Sequence, residues 1–151
     1  MEGYLFDRYE IIKEIGGGGF GRVFLAHDHH LNKAVAVKKM RAGKTTGKEA
    51  LILRQLKHEG LPTVFDYRSL KDEAYLIMEY VDGTTLRRML DRDGKLPAGE
   101  ALSVTLKILE ILGYLHEQNP RIIYRDLKPS NIMLLPDGGV RLVDLGAALL
   151  K

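Results

Sequence analysis

The sequence predicts an α+β fold in which an antiparallel sheet carries one helix, the chain then breaks, and a second part is mostly helical. Three observations lead there. Between residues 9 and 81, strand-like runs alternate with turn signals; Asp82 and Gly83 interrupt that pattern; and beyond Pro97 apolar residues recur at helical steps.

The elements follow in order. YEIIKEI, GRVFLAHD and AVAVKKM read as strands, separated by a glycine cluster and a polar HHLNK turn, and together they predict an antiparallel meander. After RAGKTTG, the stretch KEALILRQLKH sets Ala50, Leu53 and Leu56 at three-residue steps, with Thr46 as N-cap, and predicts a short helix. LPTVFDYRS and AYLIMEYV predict two further strands. Past the Asp82-Gly83 hinge, TLRRMLDRDG predicts a short helix, and Pro97 opens a long one running to about Gln118. Its Leu102, Leu106, Leu109 and Leu112 fall on one stripe, while Ala101, Val104, Ile108, Ile111 and Leu115 cover much of the remainder. A helix apolar on most sides expects neighbours on most sides. RIIYRDL, NIMLL and VRLVDL are short, strand-like or looped, and no repeat or low-complexity segment interrupts the chain.

Composition narrows the function classes. The 151 residues are 45% hydrophobic and 28% charged, an ordinary globular balance with enough length for one buried core. The absence of cysteine removes disulfides and thiolate metal sites. A net charge of +3 without a basic block gives no reason to expect nucleic acid as a partner. The opening MEGYLFDRYEIIKEIG has no apolar core behind a basic head. The longest apolar region, 101–115, contains Lys107 and Glu110 and falls short of the roughly 18 residues a membrane span needs. The expectation is a cytoplasmic chain with no membrane segment.

IGGGGFGRV contains G-x-G-x-x-G at Gly16, Gly18 and Gly21, a spacing that lets backbone N–H groups approach phosphate oxygens. A dinucleotide-binding loop must open a helix, whereas this one runs into the strand-like Val23-Phe24 stretch. AGKTT resembles a Walker loop, but that pattern requires glycine where Lys38 stands. The glycines taken alone fit a flexible hairpin as well as a phosphate cradle. The histidines His27, His29 and His30 lie in a polar turn without a fourth ligand and read as solvated, and Asp66, Asp72, Glu73 and Asp82 read as surface or turn residues.

What decides between these readings is an ordered set. The glycine loop is followed by VAVK ending at Lys38, by Glu49 on the short helix, by YRDLKPSN from Tyr124 to Asn131, and by DLG from Asp144 to Gly146. This order resembles the signature of the protein kinases over nearly the whole chain, and specifically the bacterial eukaryotic-like serine/threonine kinases, in which Lys-Pro after Asp-Leu is typical. The resemblance implies a kinase-like fold, with residues 1–81 as the N-lobe and 82–151 as the start of a truncated C-lobe.

The resemblance also implies roles. Gly16, Gly18 and Gly21 would cover the phosphates of ATP, Lys38 held by Glu49 would contact the α- and β-phosphates, and Asn131 and Asp144 would hold Mg2+. Asp126 would accept the proton of a protein serine or threonine hydroxyl while Lys128 stabilises the phosphoryl group in transfer. Ile15, Val23, Ala36 and Met133 would sandwich the adenine, Met78 would be the gatekeeper, and the backbone at Glu79 and Val81 would bond the base edge. Read without the motifs, each of these apolar positions is ordinary packing.

Four departures accompany the match. Tyr124 replaces histidine and Leu145 replaces phenylalanine, both keeping bulk at packing positions. The interval from Lys38 to Glu49 is short for the family, and the family's activation loop, A-P-E motif and later helices have no counterpart. The chain reads as cut after the metal motif, so a completing chain enters as an expected partner, with a silent nucleotide-binding scaffold or a non-functional remnant as the alternatives.

Overall fold

The computed structural model describes residues 3–18, 21–43, 47–145 and 149–150. Thr46, Phe20 and Gly146 therefore lie outside the described residues. The chain forms two compact units, one of Met1–Leu56 with Thr63–Tyr80, the other of Lys57–Pro62 with Val81–Lys151.

The first unit is a six-stranded antiparallel sheet of β1 (Gly3–Leu5), β2 (Tyr9–Gly18), β3 (Gly21–Asp28), β4 (Lys33–Arg41), β5 (Val64–Leu70) and β6 (Glu73–Glu79). Its order, β1-β2-β3-β4-β6-β5, is a meander only as far as β4. Helix α1 (Gly47–Gln55) intervenes before β5, and β6 then takes the place beside β4. Composition explains the exchange. Ala74 to Met78 are all buried and suit an interior strand, whereas β5 carries Asp66, Arg68 and Ser69 and suits an edge. Helix α1 packs on β5 through its buried Ala50 and Leu53, and it stops at Gln55, short of the His58 that the sequence suggests.

Residues opposite one another in antiparallel strands share a face, so the register assigns the sheet's two sides. One side bears Tyr9, Ala26, Val35, Val37, Tyr75 and Ile77 as a continuous core with Leu5. At its margin Asp28, only 2% exposed, accepts Arg8 Nε and Nη2 at 2.8 Å each, together with the N–H groups of His30 and Leu31 at the β3–β4 turn. The Arg8 guanidinium, outweighing the cost of burial, holds the Asp28 carboxyl down at about 2. A folded-state value below the unfolded one contributes stability that is present above about pH 4 and lost as the pH falls toward 2, on the order of 2 kcal/mol. Asp28→Asn should flatten the acid limb of the melting temperature between those values; an unchanged limb would remove Asp28 from the account.

The second unit contains β7 (Thr84–Thr85), α2 (Leu86–Asp93), α3 (Ala98–His116), β8 (Ile122–Ile123), a 3-10 turn at Pro129–Asn131, β9 (Ile132–Leu134), β10 (Val140–Leu142) and β11 (Leu149–Leu150). The strands pair as β10-β9-β7 and β11-β8. Thr85 caps α2 by accepting the Arg88 N–H at 3.1 Å, and Gly94, at φ 78°, ends it. Helix α3 starts behind Pro97, whose carbonyl accepts the Ala101 N–H.

Burial divides α3 unevenly. Ile111 and Leu115 are buried, while Leu102, Leu106 and Leu109 are 62%, 53% and 58% exposed. The segment 57–62 is tied into this unit by backbone bonds from Leu142 N to Gly60 O and by Arg141 Nη2 to Leu61 O. Gly60 has to be glycine, because a Cβ there would fall 2.3 Å from Ile111 Cγ1.

Candidate active site

In the first unit the glycine loop joins two strands, with Gly16 opposite Val23, Gly17 opposite Arg22 and Gly18 opposite Gly21. Gly21 sits at φ 135°, and a Cβ on it would meet Lys39 O at 2.4 Å and Lys38 Cε at 3.4 Å. Only glycine lets the backbone of β4 pass so closely. At Gly16 the nearest neighbour of an added Cβ is Val23 Cβ at 4.0 Å, so packing alone does not demand that glycine. Outside the loop, Arg22 and Glu14 form a two-point ion pair across β2 and β3 that holds the Glu14 carboxyl below its usual range. Nothing in the sequence marks that pair.

Register then collects the predicted nucleotide residues. Val23, Lys38 and Leu76 lie opposite one another on β3, β4 and β6, and Leu25, Ala36 and Met78 form the next row. Val23, Ala36, Lys38 and Met78 thus share the sheet face that turns away from the Tyr9 core. Ala36 and Met78 are buried, as is Lys38 at 1% exposure, an uncommon position for an ammonium. Ile15 is 40% exposed and falls in the register irregularity between Glu14 and Gly16. Glu49 is half-buried in the first turn of α1, where a carboxylate also favours the helix N-terminus. Glu79 lies opposite Val35, so its side chain belongs to the other face from Met78. Its N–H donates to Thr63 O at 2.8 Å and its carboxylate accepts the Thr63 N–H at 3.1 Å.

The second unit gathers the other set. Val81 is half-buried there, and Met133 on β9 faces Arg141 of β10 and Thr85 of β7. The β9–β10 pairing sets Ile132 opposite Leu142, and Val143 N donates to Asn131 O at 3.1 Å, which brings Asn131 beside the stretch that carries Asp144. Asn131, 8% exposed, donates Nδ2 to the Asp126 backbone oxygen at 2.9 Å and to Asp126 Oδ2 at 3.0 Å. Lys128 Nζ stands 3.5 Å from the same Oδ2. Tyr124 is buried, and burial first, then the carboxylates of Asp144 and Asp126, push its hydroxyl above the usual phenol range. The structure thus brings Asp126, Lys128, Asn131 and Asp144 into one neighbourhood, and Leu145 next to Asp144 is buried.

This donor set can be tested against a magnesium ion. With Asn131 Nδ2 committed to Asp126, the amide's other end, Oδ1, is the atom left for a cation. One amide oxygen and one carboxylate are hard oxygen donors of the kind Mg2+ takes when phosphates supply further ligands. The described residues hold no group of three His, Cys, Asp or Glu side chains arranged for a metal. The histidines bond to neighbouring side chains, His29 to Glu10 of β2 at 2.8 Å and His27 to Asn32 at 3.1 Å.

Comparison with known proteins agrees with the geometry. Residues 9–150 match the protein kinase domain family. A probable serine/threonine-protein kinase of Streptomyces coelicolor is 37% identical over 153 residues, covering 93% of this chain and 22% of its own. The serine/threonine-protein kinase PknB of Mycobacterium leprae is 35% identical, over 96% of this chain and 25% of its own, and PrkC of Bacillus subtilis is 33% identical, over 93% and 23%. The chain spans about a quarter of the length of these curated relatives.

Proposed function

Since this chain belongs to the protein kinase family, we propose that it carries the ATP-binding and phosphoryl-transfer residues of a serine/threonine protein kinase working in the cytoplasm. The observation that supports this most is the Asn131 clamp on Asp126, with Lys128 on the same carboxylate oxygen and Asp144 nearby.

In this reading the glycine hairpin offers backbone N–H groups to the phosphates, and Lys38, paired to Glu49, neutralises the α- and β-phosphates. Ile15, Val23, Ala36, Met78 and Met133 enclose the adenine, whose edge bonds the backbone of Glu79 and Val81. Asn131 Oδ1 and Asp144 would hold Mg2+, which when bound neutralises charge on the phosphate oxygens. Both partners of the Asp126 carboxylate meet Oδ2, so Oδ1 is the oxygen that takes the proton from a serine or threonine hydroxyl. Lys128 stays close enough to balance charge on the group in transfer.

The exposed Leu102, Leu106 and Leu109 support completion of this unit by further chain or by a partner. The same exposure favours a second reading, a nucleotide-binding scaffold that transfers nothing. No helix among the described residues is long and apolar enough to cross a membrane. Incubation with γ-labelled ATP, Mg2+ and an unstructured protein rich in serine and threonine separates the two readings. Label on serine or threonine is the expected result; nucleotide binding without label favours the scaffold.

A further inference from the structure

We propose, resting on the kinase reading, that the ion pair between Glu14 and Arg22 is a positioning device for the glycine hairpin: a brace on the sheet face opposite the nucleotide residues. Register places it there. Phe24 lies opposite both Glu14 of β2 and Val37 of the Tyr9 core, and Arg22 stands two residues from Phe24 along β3. Glu14 and Arg22 therefore belong to the core side, while Val23, between Arg22 and Phe24, belongs to the other. The pair acts on the hairpin from behind and not on the nucleotide itself.

The composition of β2 creates the need for a brace. Cross-strand side-chain pairs are what hold a sheet together, but β2 ends in Gly16, Gly17 and Gly18, which offer Val23, Arg22 and Gly21 no side chain to meet. Glycine also loses the most freedom on becoming ordered. Arg22 instead reaches diagonally past Gly17 to Glu14, donating Nε to Oε1 at 3.1 Å and Nη2 to Oε2. Exposed ion pairs usually contribute little, because two long side chains must first be held in one geometry. Here the guanidinium lies over the ring of Phe24, 5.3 Å from its centroid, and that ring is only 1% exposed, so the planar fork is set in place before it meets the carboxylate. Gly17 lies beneath the pair: a Cβ on it would stand 3.3 Å from Glu14 Oε1 and 3.6 Å from Arg22 Cγ. The position that G-x-G-x-x-G leaves variable is thus the one over which the brace crosses the backbone. Lys39, opposite Arg22 on β4, is taken up by Glu73 at 2.8 Å and does not compete for Glu14.

The test compares Glu14→Gln, Arg22→Gln, the two together, and the exchange of Glu14→Arg with Arg22→Glu. Both side chains are largely exposed, so the melting temperature should stay within about two degrees of the parent. In each broken variant the amides of Gly16, Gly17 and Val23 should exchange about two- to fivefold faster while those of β6 stay alike, which a general loss of stability would not produce. The dissociation constant of a fluorescent ATP analogue with Mg2+ should rise by about the same two- to fivefold. The single variants should match, the double should be no worse than either, and the exchanged pair should recover most of the loss. Charge acting directly on the phosphates gives a different pattern: loss of the Glu14 carboxylate tightens binding and loss of the Arg22 guanidinium weakens it. That opposite pattern, additive losses, unchanged exchange at the hairpin, or an exchanged pair no better than the single variants would overturn the proposal. Amide exchange in the nucleotide-free chain decides the brace by itself, whereas a parent chain that binds no nucleotide defeats the kinase reading, so the two failures are distinguishable.

Discussion

Asp126→Asn is expected to lower phosphoryl transfer by about 10²–10⁴-fold, the usual contribution of a positioned general base, while leaving Mg-ATP affinity within about twofold. Asparagine has the shape of aspartate, and the backbone oxygen that accepts Asn131 Nδ2 at 2.9 Å is untouched, so the loop is retained. The new amide still offers one oxygen to Asn131 and Lys128. What disappears is the second carboxylate oxygen, and with it the proton acceptor. A variant that loses nucleotide affinity in parallel with rate would place Asp126 in binding instead.

Asp144→Ala should behave in the opposite way. It removes one of the two oxygen donors assigned to magnesium, so the dissociation constant for ATP should rise by about tenfold to 100-fold in excess Mg2+, and change little in a chelator. Titration of a fluorescent ATP analogue with and without Mg2+ reads this directly. Equal weakening under both conditions would mean that Asp144 serves the nucleotide or the packing and not the cation. The contrast between the two variants is the signature of the assigned roles.

Much of this was legible in the sequence because spacing carries it. The glycine loop could be placed between strands from Val23 and Phe24 alone, and the YRDLKPSN string named the loop that the structure builds around Asp126. Strand-like runs bounded by turn signals likewise predicted most strands of the sheet, though not their order. That β6 lies inside β5 depends on the comparison of two strands with each other, AYLIM against DYRS, rather than on the periodicity of either. Strand β1, three residues followed by two at positive φ, is too short to show a period. For α3 the apolar residues occupy several stripes at once, and nothing local distinguishes the buried Ile111 and Leu115 from the exposed Leu102 and Leu106. The specific polar contacts left no trace either. Arg8 with Asp28, and Asn131 with the Asp126 backbone, depend on where the chain returns and on carbonyl directions that residue types do not encode.

The exposed stripe on α3 and the quarter-length match to the relatives bear on how much the chain does by itself, but neither bears on the residues proposed to hold nucleotide. Those are packed within their own units: Lys38 in the middle of β4, Ala36 and Met78 across from each other, Asn131 in the 3-10 turn. Binding can therefore be asked before transfer.

The measurement that tests the central claim most directly is the thermal unfolding of this 151-residue chain with and without saturating Mg-ATP. Nucleotide at about 100 times its dissociation constant adds roughly 2.7 kcal/mol, which for a domain of this size raises the midpoint by several degrees. The account predicts a cooperative transition that rises with Mg-ATP and rises much less in Asp144→Ala. A cooperative transition that Mg-ATP leaves in place would contradict it.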